Sequence, residues 1–296
     1  MRQKTAPLPT PDADAPPERR IAFQGDLGAF SHEACAEVFP EMVPTPCPTF
    51  EDAIATVRRG EANLAMLPVE NSIYGRVADI HHLLPESGLY LIREHFLPIR
   101  MQLLGLPGTA LAAVKTAESL NVALGQVRRF LREHSIVAVP GPDTAGSARA
   151  VAEAGDPGRA AVASRLAGEV YGLEVLAADI EDADHNATRF LVASRQRVEA
   201  EPGTQAITTF VFRVKNLPAS LYKALGGFAT NGINMTRLES YMLGGSFMAT
   251  QFVADIDGHP EDEAVARAFD ELNHFCDHVK VLGVYTPHPF RARAAG

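Results

Sequence analysis

His185-Asn186-Ala187-Thr188-Arg189-Phe190 places an imidazole, an amide, a hydroxyl and a guanidinium directly ahead of the apolar run Leu191-Val192-Ala193. Phe190 to Ala193 reads as a short interior strand, and Glu181-Asp182-Ala183-Asp184 before it reads as a loop. The pattern delivers polar chemistry at the end of a buried strand. There Thr188 can offer its hydroxyl to a cleft while its neighbours anchor it. The same residues also suit plainer roles, because Thr188 is a good strand former and Asn186-Ala187-Thr188 forms a glycosylation triplet by chance.

Three further stretches have comparable chemistry. Leu64-Ala65-Met66-Leu67 reads as a buried strand that stops at Pro68-Val69-Glu70-Asn71-Ser72. Loops at the carboxyl ends of strands are where open α/β sheets place ligands. Ile21-Ala22-Phe23-Gln24 leads into the glycine turn Gly25-Asp26-Leu27-Gly28-Ala29-Phe30-Ser31 and a helical pattern from His32 to Phe39. A strand, glycine turn and helix aim backbone N–H groups and the positive helix end at one spot, which suits an anion such as a carboxylate. The turn matches neither of the common nucleotide-binding glycine patterns. Ser119 to Leu131 carries a helical period of Leu120, Ala123, Leu124, Val127 and Leu131 that leaves Gln126 and Arg128 off the main stripe, so a helix is expected from Ser119 to Leu131.

The elements that must carry these residues alternate strand and helix through the first two thirds of the chain. Thr49 is placed to cap a helix carrying Ala53, Ile54 and Val57, with Asp52 at the third position, and Gly60 closes it. Val77 to Leu84 reads as a helix, and Leu89 to Ile92 and Ile99 to Leu104 read as strands. Asp143 to Ser147 reads as a capping loop, and Ala160 to Ala163 as a strand. The alternation predicts two parallel α/β lobes with a cleft between them and chain crossings near residues 95 and 178. Past the polar linker 197–205 the period changes to βαββαβ. Ile207 to Val214 alternates, Pro218 stands where a helix to Thr230 would begin, and Asn231-Gly232 ends it. Ile233 to Ile256 reads as a hairpin turning at Leu243-Gly244-Gly245-Ser246, Pro260 opens a last helix, and His278 to Tyr285 is the last strand. This is the order of a ferredoxin-like sandwich.

Composition narrows the function classes. A chain of 296 residues that is 46% hydrophobic supports two packed domains. A formal net charge of -9 argues against nucleic acid or an anionic membrane as partner, so an anionic substrate needs a locally positive site. Cys35, Cys47 and Cys276 form neither a CxxC pair nor a zinc-spaced cluster, which fits a reducing, cytoplasmic setting without a metal. Residues 1–19 are rich in Pro, Ala and charge and read as a disordered tail rather than a signal or a membrane span. Residues 291–296 read as a second tail.

Together these stretches resemble the prephenate dehydratase family with a C-terminal ACT regulatory domain. The glycine turn Gly25 to Ser31, Pro68-Val69-Glu70-Asn71-Ser72 and Asn186-Ala187-Thr188-Arg189-Phe190 are similar to that family's three signature stretches, and Ser119 with Gln126 is similar to a fourth. The family usually has His-Pro-Gln after that serine and a cysteine after that glutamine, where this chain has Leu120-Asn121-Val122 and Val127. The resemblance implies a two-lobed, type II periplasmic-binding-protein-like catalytic domain over residues 20–196. Lobe 1 would span about 20–97 and 178–196, and lobe 2 about 98–177. An ACT domain would follow over 206–290. It implies decarboxylative dehydration of prephenate to phenylpyruvate without a cofactor, with arogenate as a rival substrate and a non-catalytic sensor as a rival of another class. Thr188, Glu70, Asn71, Ser119 and Gln126 are the implied catalytic set, with Thr188 and Glu70 competing as proton donor. Gly28, Ala29, Phe30, Ser31, Ser72, Thr144, Ser147, Asn186, Arg189 and Phe190 are the implied substrate contacts, Arg189 bracing rather than touching substrate because it alternates with Thr188. For the ACT domain the resemblance implies phenylalanine at Asn216, Leu217, Pro218, Ala219, Ser220, Leu221, Glu239 and Ser240, and a homodimer or homotetramer. There the family's Glu-Ser-Arg-Pro appears as Glu239-Ser240-Tyr241-Met242.

Overall fold

The computed structural model describes Asp12, residues 14–242 and residues 249–294. By its contacts the chain divides into two compact units. One comprises residues up to Val77 together with Phe96–Phe190, and the other Ala78–His95 together with residues from Leu191 onward.

The first unit holds two lobes. In the first lobe, β1 (Arg20–Gln24), α1 (Phe30–Val38), β2 (Val43–Cys47), α2 (Phe50–Arg58) and β3 (Leu64–Asn71) follow in sequence, and β4 (Gly75–Arg76) folds back on β3. β1 pairs in parallel with β2 on one side and β3 on the other. Buried Ile21, Phe23, Met66 and Leu67 explain why these short apolar runs are central strands. α2 starts where the sequence indicates: Thr49 Oγ1 accepts from the Asp52 N–H at 3.1 Å and donates to Asp52 Oδ2 at 2.9 Å.

After α3 (Ala78–Leu83) and β5 (Tyr90–Pro98), the second lobe contains β6 (Gln102–Gly105), β7 (Thr116–Ser119), α4 (Asn121–Gly125), α5 (Arg128–Glu133), β8 (Val137–Pro140), α6 (Thr144–Ala154), β9 (Arg159–Ala163), α7 (Arg165–Tyr171) and β10 (Glu174–Ala177). The chain then returns along β11 (Ala187–Ser194), which passes from the first unit into the second at Phe190. The strand orders are β11-β3-β1-β2 in the first lobe and β10-β6-β9-β7-β8 in the second. β1, β2 and β3 in the first lobe, and β7, β8 and β9 in the second, are ordered 2-1-3 with a crossing strand, β11 or β6, beyond the third, the type II periplasmic-binding-protein-like arrangement.

The structure corrects three expectations in this region. The second sheet is mixed rather than parallel, because β6 runs antiparallel to both β9 and β10. The chain enters the lobe by β6 and leaves by β10, so neither is held parallel by a helical crossover. The expected strands at Leu89–Ile92 and Ile99–Leu104 are instead β5, running on to Pro98, and a shorter β6. The expected helix from Ser119 to Leu131 is broken into α4 and α5 at Gln126-Val127, and Ser119 ends β7. The Gln126 carbonyl accepts from the Asp182 N–H at 2.6 Å, a bond from a residue far along the chain that fixes the break.

The second unit contains β12 (Ile207–Val214), α8 (Ser220–Thr230), β13 (Met235–Met242), β14 (Ala249–Asp257), α9 (Glu263–Phe275), β15 (Cys276–Tyr285) and α10 (Phe290–Ala294). Its sheet has the order β13-β14-β12-β15 with antiparallel neighbours, the ferredoxin-like βαββαβ topology. Phe210, Phe212, Phe228 and Phe252 fill its core against α8 and α9. The expected turn at Leu243-Gly244-Gly245-Ser246 lies outside the described residues. Pro218 does not open α8. It is the second residue of a turn from Leu217 to Ser220, closed by Ser220 N–H to Leu217 O at 3.1 Å, with Ala219 left-handed at φ +62°. Pro260 likewise stands outside α9, which begins after Asp262.

Candidate functional site

Asn71, at the end of β3, organises the site. Its Oδ1 accepts from the N–H groups of Ile73 and Tyr74, both at 3.0 Å. Backbone amides only donate, so the orientation of this side-chain amide is settled. Nδ2 must then face β11, where it donates to Asn186 Oδ1 at 2.8 Å, Thr188 Oγ1 at 3.1 Å and the Ala187 carbonyl at 3.3 Å. Two consequences follow. Thr188 Oγ1 is already an acceptor, and its own proton has no acceptor among the described residues, so it is aimed away from Asn71 as a donor. Asn186, with Oδ1 occupied, turns Nδ2 to Gln126 Oε1 at 2.6 Å. Gln126 Nε2 is thereby turned away from Asn186 and makes no hydrogen bond with a described residue.

The chain Asn71-Asn186-Gln126 runs from one lobe to the other, and other bonds cross beside it. Ser164 Oγ, before α7, donates to the Gly28 carbonyl at 2.5 Å, and Arg149 on α6 pairs with Asp26 at 3.0 Å. Gly28 has φ +87°, and a Cβ there would lie 2.6 Å from Ala167 Cα, so this approach of the lobes requires glycine. The cleft is therefore drawn together on both flanks.

Several implied contacts have other roles. Ser119 is fully buried and donates to the Val162 carbonyl at 2.6 Å, which leaves its hydroxyl unable to reach a ligand. Ser147 is buried in α6 and donates to the Asp143 carbonyl at 2.6 Å, while the Asp143 carboxylate caps that helix through Gly146 N–H. Ser72 Oγ donates to the His185 carbonyl at 2.8 Å and accepts from Ala187 N–H at 2.9 Å, tying β3 to β11. Phe190 is core, and Asn186 is a buried relay. The Gly28 N–H is spent on His32 Nδ1 at 3.0 Å. Burial holds the His32 imidazole neutral, its pKa lowered from 6.5 to about 4, and its ring stacks on Phe23. In the glycine turn, Ala29 carries no side-chain cap at the start of α1, so the N–H groups of Phe30 and Ser31 are left for an anion. Thr144, half-buried, begins α6.

Arg189 is buried beneath the strand and pairs with Glu70 at 2.9 Å, with its guanidinium 6.0 Å from the Phe96 ring centroid. Glu70 thus serves as an ion-pair acceptor that anchors Arg189. In the second unit, Asn216, Leu217, Pro218 and Ala219 form an exposed loop ahead of α8, with Ser220 buried and Leu221 half-buried on the helix. Glu239 is half-buried and Ser240 exposed on β13, an edge strand. The sequence pattern gives no reason to single out His32 or Tyr74. The available signal for His32 is its place four residues after Gly28, and for Tyr74 an aromatic side chain three residues after Asn71.

The family model for prephenate dehydratase matches residues 21–198. A bifunctional N-acyl-homoserine lactone acylase/prephenate dehydratase of Komagataeibacter europaeus is 52% identical, over 93% of this chain and 99% of its own length. The chain belongs to the prephenate dehydratase family. It is thus related to lyases, and it is an enzyme of that class. Arogenate dehydratase/prephenate dehydratase 2 of Arabidopsis thaliana is 34% identical over 90% of this chain and 72% of its own. The crystal structure of a prephenate dehydratase from Arthrobacter aurescens in complex with L-Phe superposes with a TM-score of 0.82 at 33% identity, covering 90% of both chains.

Proposed function

We propose that this member of the family is a dehydratase of aromatic amino acid biosynthesis that converts prephenate to phenylpyruvate, carbon dioxide and water. The observation that carries this reading is the Asn71 amide, which fixes Thr188 as a hydrogen-bond donor facing away from it. In the reaction the bond to the ring carboxylate breaks, and its electron pair enters the ring. The ring C–O bond breaks, and hydroxide leaves with its pair and takes up a proton as water. Thr188 donates to the departing oxygen, and solvent restores any proton transferred. Gln126 Nε2 and the α1 amides hold carboxylates, and the aromatic product supplies the driving force. Glu70 and Arg189 brace the floor, and the acid role falls to Thr188. The catalytic domain is taken as residues 20–196.

The βαββαβ unit, residues 206–290, is read as an ACT domain that binds phenylalanine at the loop 216–221 and Glu239-Ser240. The L-Phe complex of the Arthrobacter relative supports that effector. Exposed Leu217, Tyr222, Leu238 and Met242 suit self-association as a homodimer or homotetramer. The test is phenylpyruvate formation from prephenate by the purified chain, with arogenate offered in parallel and phenylalanine titrated. No turnover of either substrate by folded protein would sink the enzyme reading, and a flat phenylalanine titration by rate and by calorimetry would sink the regulatory one.

The 52% identical relative favours a second activity, hydrolysis of N-acyl-homoserine lactones. Release of fatty acid and homoserine lactone from an N-acyl substrate would support it, and no release above a no-enzyme control would exclude it.

A further inference from the structure

Tyr74 contributes to the site in two ways. Its backbone N–H donates to Asn71 Oδ1, and its side-chain hydroxyl crosses to the other lobe and donates to the Val122 carbonyl on α4 at 3.2 Å. The hydroxyl fits because residue 125 is glycine: a Cβ there would lie 2.9 Å from Tyr74 Oη. Gly125 directly precedes Gln126, whose side chain accepts a crossing bond from Asn186. Val122 and Gln126 are four residues apart, so α4 is held at both ends from the opposite lobe. The contacts close a ring through Asn71, Tyr74, α4, Gln126 and Asn186.

The two side-chain bonds that tie α4 to the opposite lobe differ in burial. Asn186 and Gln126 are 1% and 7% exposed, whereas Tyr74 and Val122 are 49% and 43% exposed. The inner bond belongs to the frame, and the outer one competes with water and breaks more readily. A substrate entering between the lobes meets the outer bond first.

We infer that Tyr74 is a cross-lobe latch and a positioning residue: its hydroxyl closes the cleft mouth over bound substrate and, through its own N–H, holds Asn71 in the orientation that sets Thr188. This rests on the dehydratase reading above. Tyr74→Phe keeps the ring and removes only the hydroxyl. Gly125→Ala leaves Tyr74 intact and places a better helix former on α4, yet its Cβ displaces the hydroxyl from Val122. A merely structural role predicts that Gly125→Ala is neutral or favourable.

The latch predicts that both variants raise KM for prephenate by about 2- to 10-fold with a smaller change in kcat, one neutral hydrogen bond being lost from the closed state. The double variant should be no worse than the poorer single one, because both remove the same bond. Hydrogen exchange of the 72–76 backbone should quicken in both variants without any substrate. Unchanged KM together with unchanged exchange, or additive effects in the double variant, would overturn the latch. If the wild type turns over no prephenate, the dehydratase reading fails, and the exchange measurement alone decides the latch.

Discussion

Replacing Asn71 by Asp tests the polarity of the site with almost no change of shape. One carboxylate oxygen would keep the place of Oδ1 and still accept from the Ile73 and Tyr74 N–H groups, so the loop retains its fold. The other would replace Nδ2, which now donates at 2.8, 3.1 and 3.3 Å to Asn186, Thr188 and Ala187. Each of those bonds must then reverse or fail. The Ala187 carbonyl cannot reverse, but it keeps the bond it accepts from the Ser72 N–H at 2.9 Å, so it loses one of two partners at a cost of about 0.5–1.5 kcal/mol. Asn186 can flip, which forces the Gln126 amide to flip and present its oxygen outward where the nitrogen donor stood. Thr188 reverses by giving its proton to the new carboxylate, which takes it from the leaving hydroxyl. General-acid assistance is typically worth about 10²–10⁴-fold, so kcat/KM for prephenate should fall by at least about 10²-fold. Unfolding should shift by no more than about 3 kcal/mol, which a denaturant titration measures. Asn71→Asp activity within about 3-fold of wild type, well short of the acid-assistance range, would refute the donor relay.

Thr188→Ser should keep most of the activity, whereas the isosteric Thr188→Val should lose about 10²–10⁴-fold in kcat with a near-normal fold; comparable rates for the two would remove Thr188 from the chemistry. His32 and Glu33 predict opposing pH effects. The folded pKa of His32 is lowered from 6.5 to about 4, so its contribution is present above 6.5 and lost as pH falls toward 4. Glu33 is raised from 4.5 to about 7 by burial and by Glu37 and Glu169, so its contribution is present below 4.5 and lost as pH rises through 7. Wild-type stability should therefore be nearly level from 4.5 to 6.5, while Glu33→Gln loses up to about 3 kcal/mol toward acid and His32→Gln up to about 3 kcal/mol toward neutral; parallel denaturation curves for all three would contradict this. Ala219→Gly should stabilise the second unit by about 1 kcal/mol, because Ala219 holds a left-handed φ of +62°; a lower melting temperature would show that the turn is not strained.

How much of this was legible in the sequence depended on whether the cause was local. Thr49 and Asp52 cap α2 through bonds made three residues apart, and β12 occupies Ile207–Val214 as its composition indicates. The alternation of β12 nevertheless misleads about its second face. Thr209 is buried rather than solvated, bonded to Asp255 and to Tyr285 in a polar cluster that brings strands distant in sequence together. The period from Leu120 to Leu131 is unbroken on paper, and the helix breaks because Asp182 reaches back to the Gln126 carbonyl. Pro218 and Pro260 carry a true stop to regular structure, but the turn Leu217–Ser220 delays α8 to Ser220, and α9 begins only after Asp262, whose carboxylate accepts from the His259 and Gly203 N–H groups instead of capping the helix.

The same distinction explains which motif residues face a ligand. A motif gives residue types, but the availability of a donor depends on what has already taken it. Ser72, Ser119 and Ser147 look equal to Thr188 as hydroxyls, yet each is committed to a carbonyl at 2.6–2.8 Å. Thr188 alone of the four is held through its oxygen by a side-chain amide, which leaves its proton uncommitted. That amide is oriented by two N–H groups of its own loop, so the direction of one proton on β11 is set by the backbone after β3. Hydrogen-bond polarity, transmitted from Ile73 and Tyr74 through Asn71, turns a strand-forming threonine into the donor at the cleft.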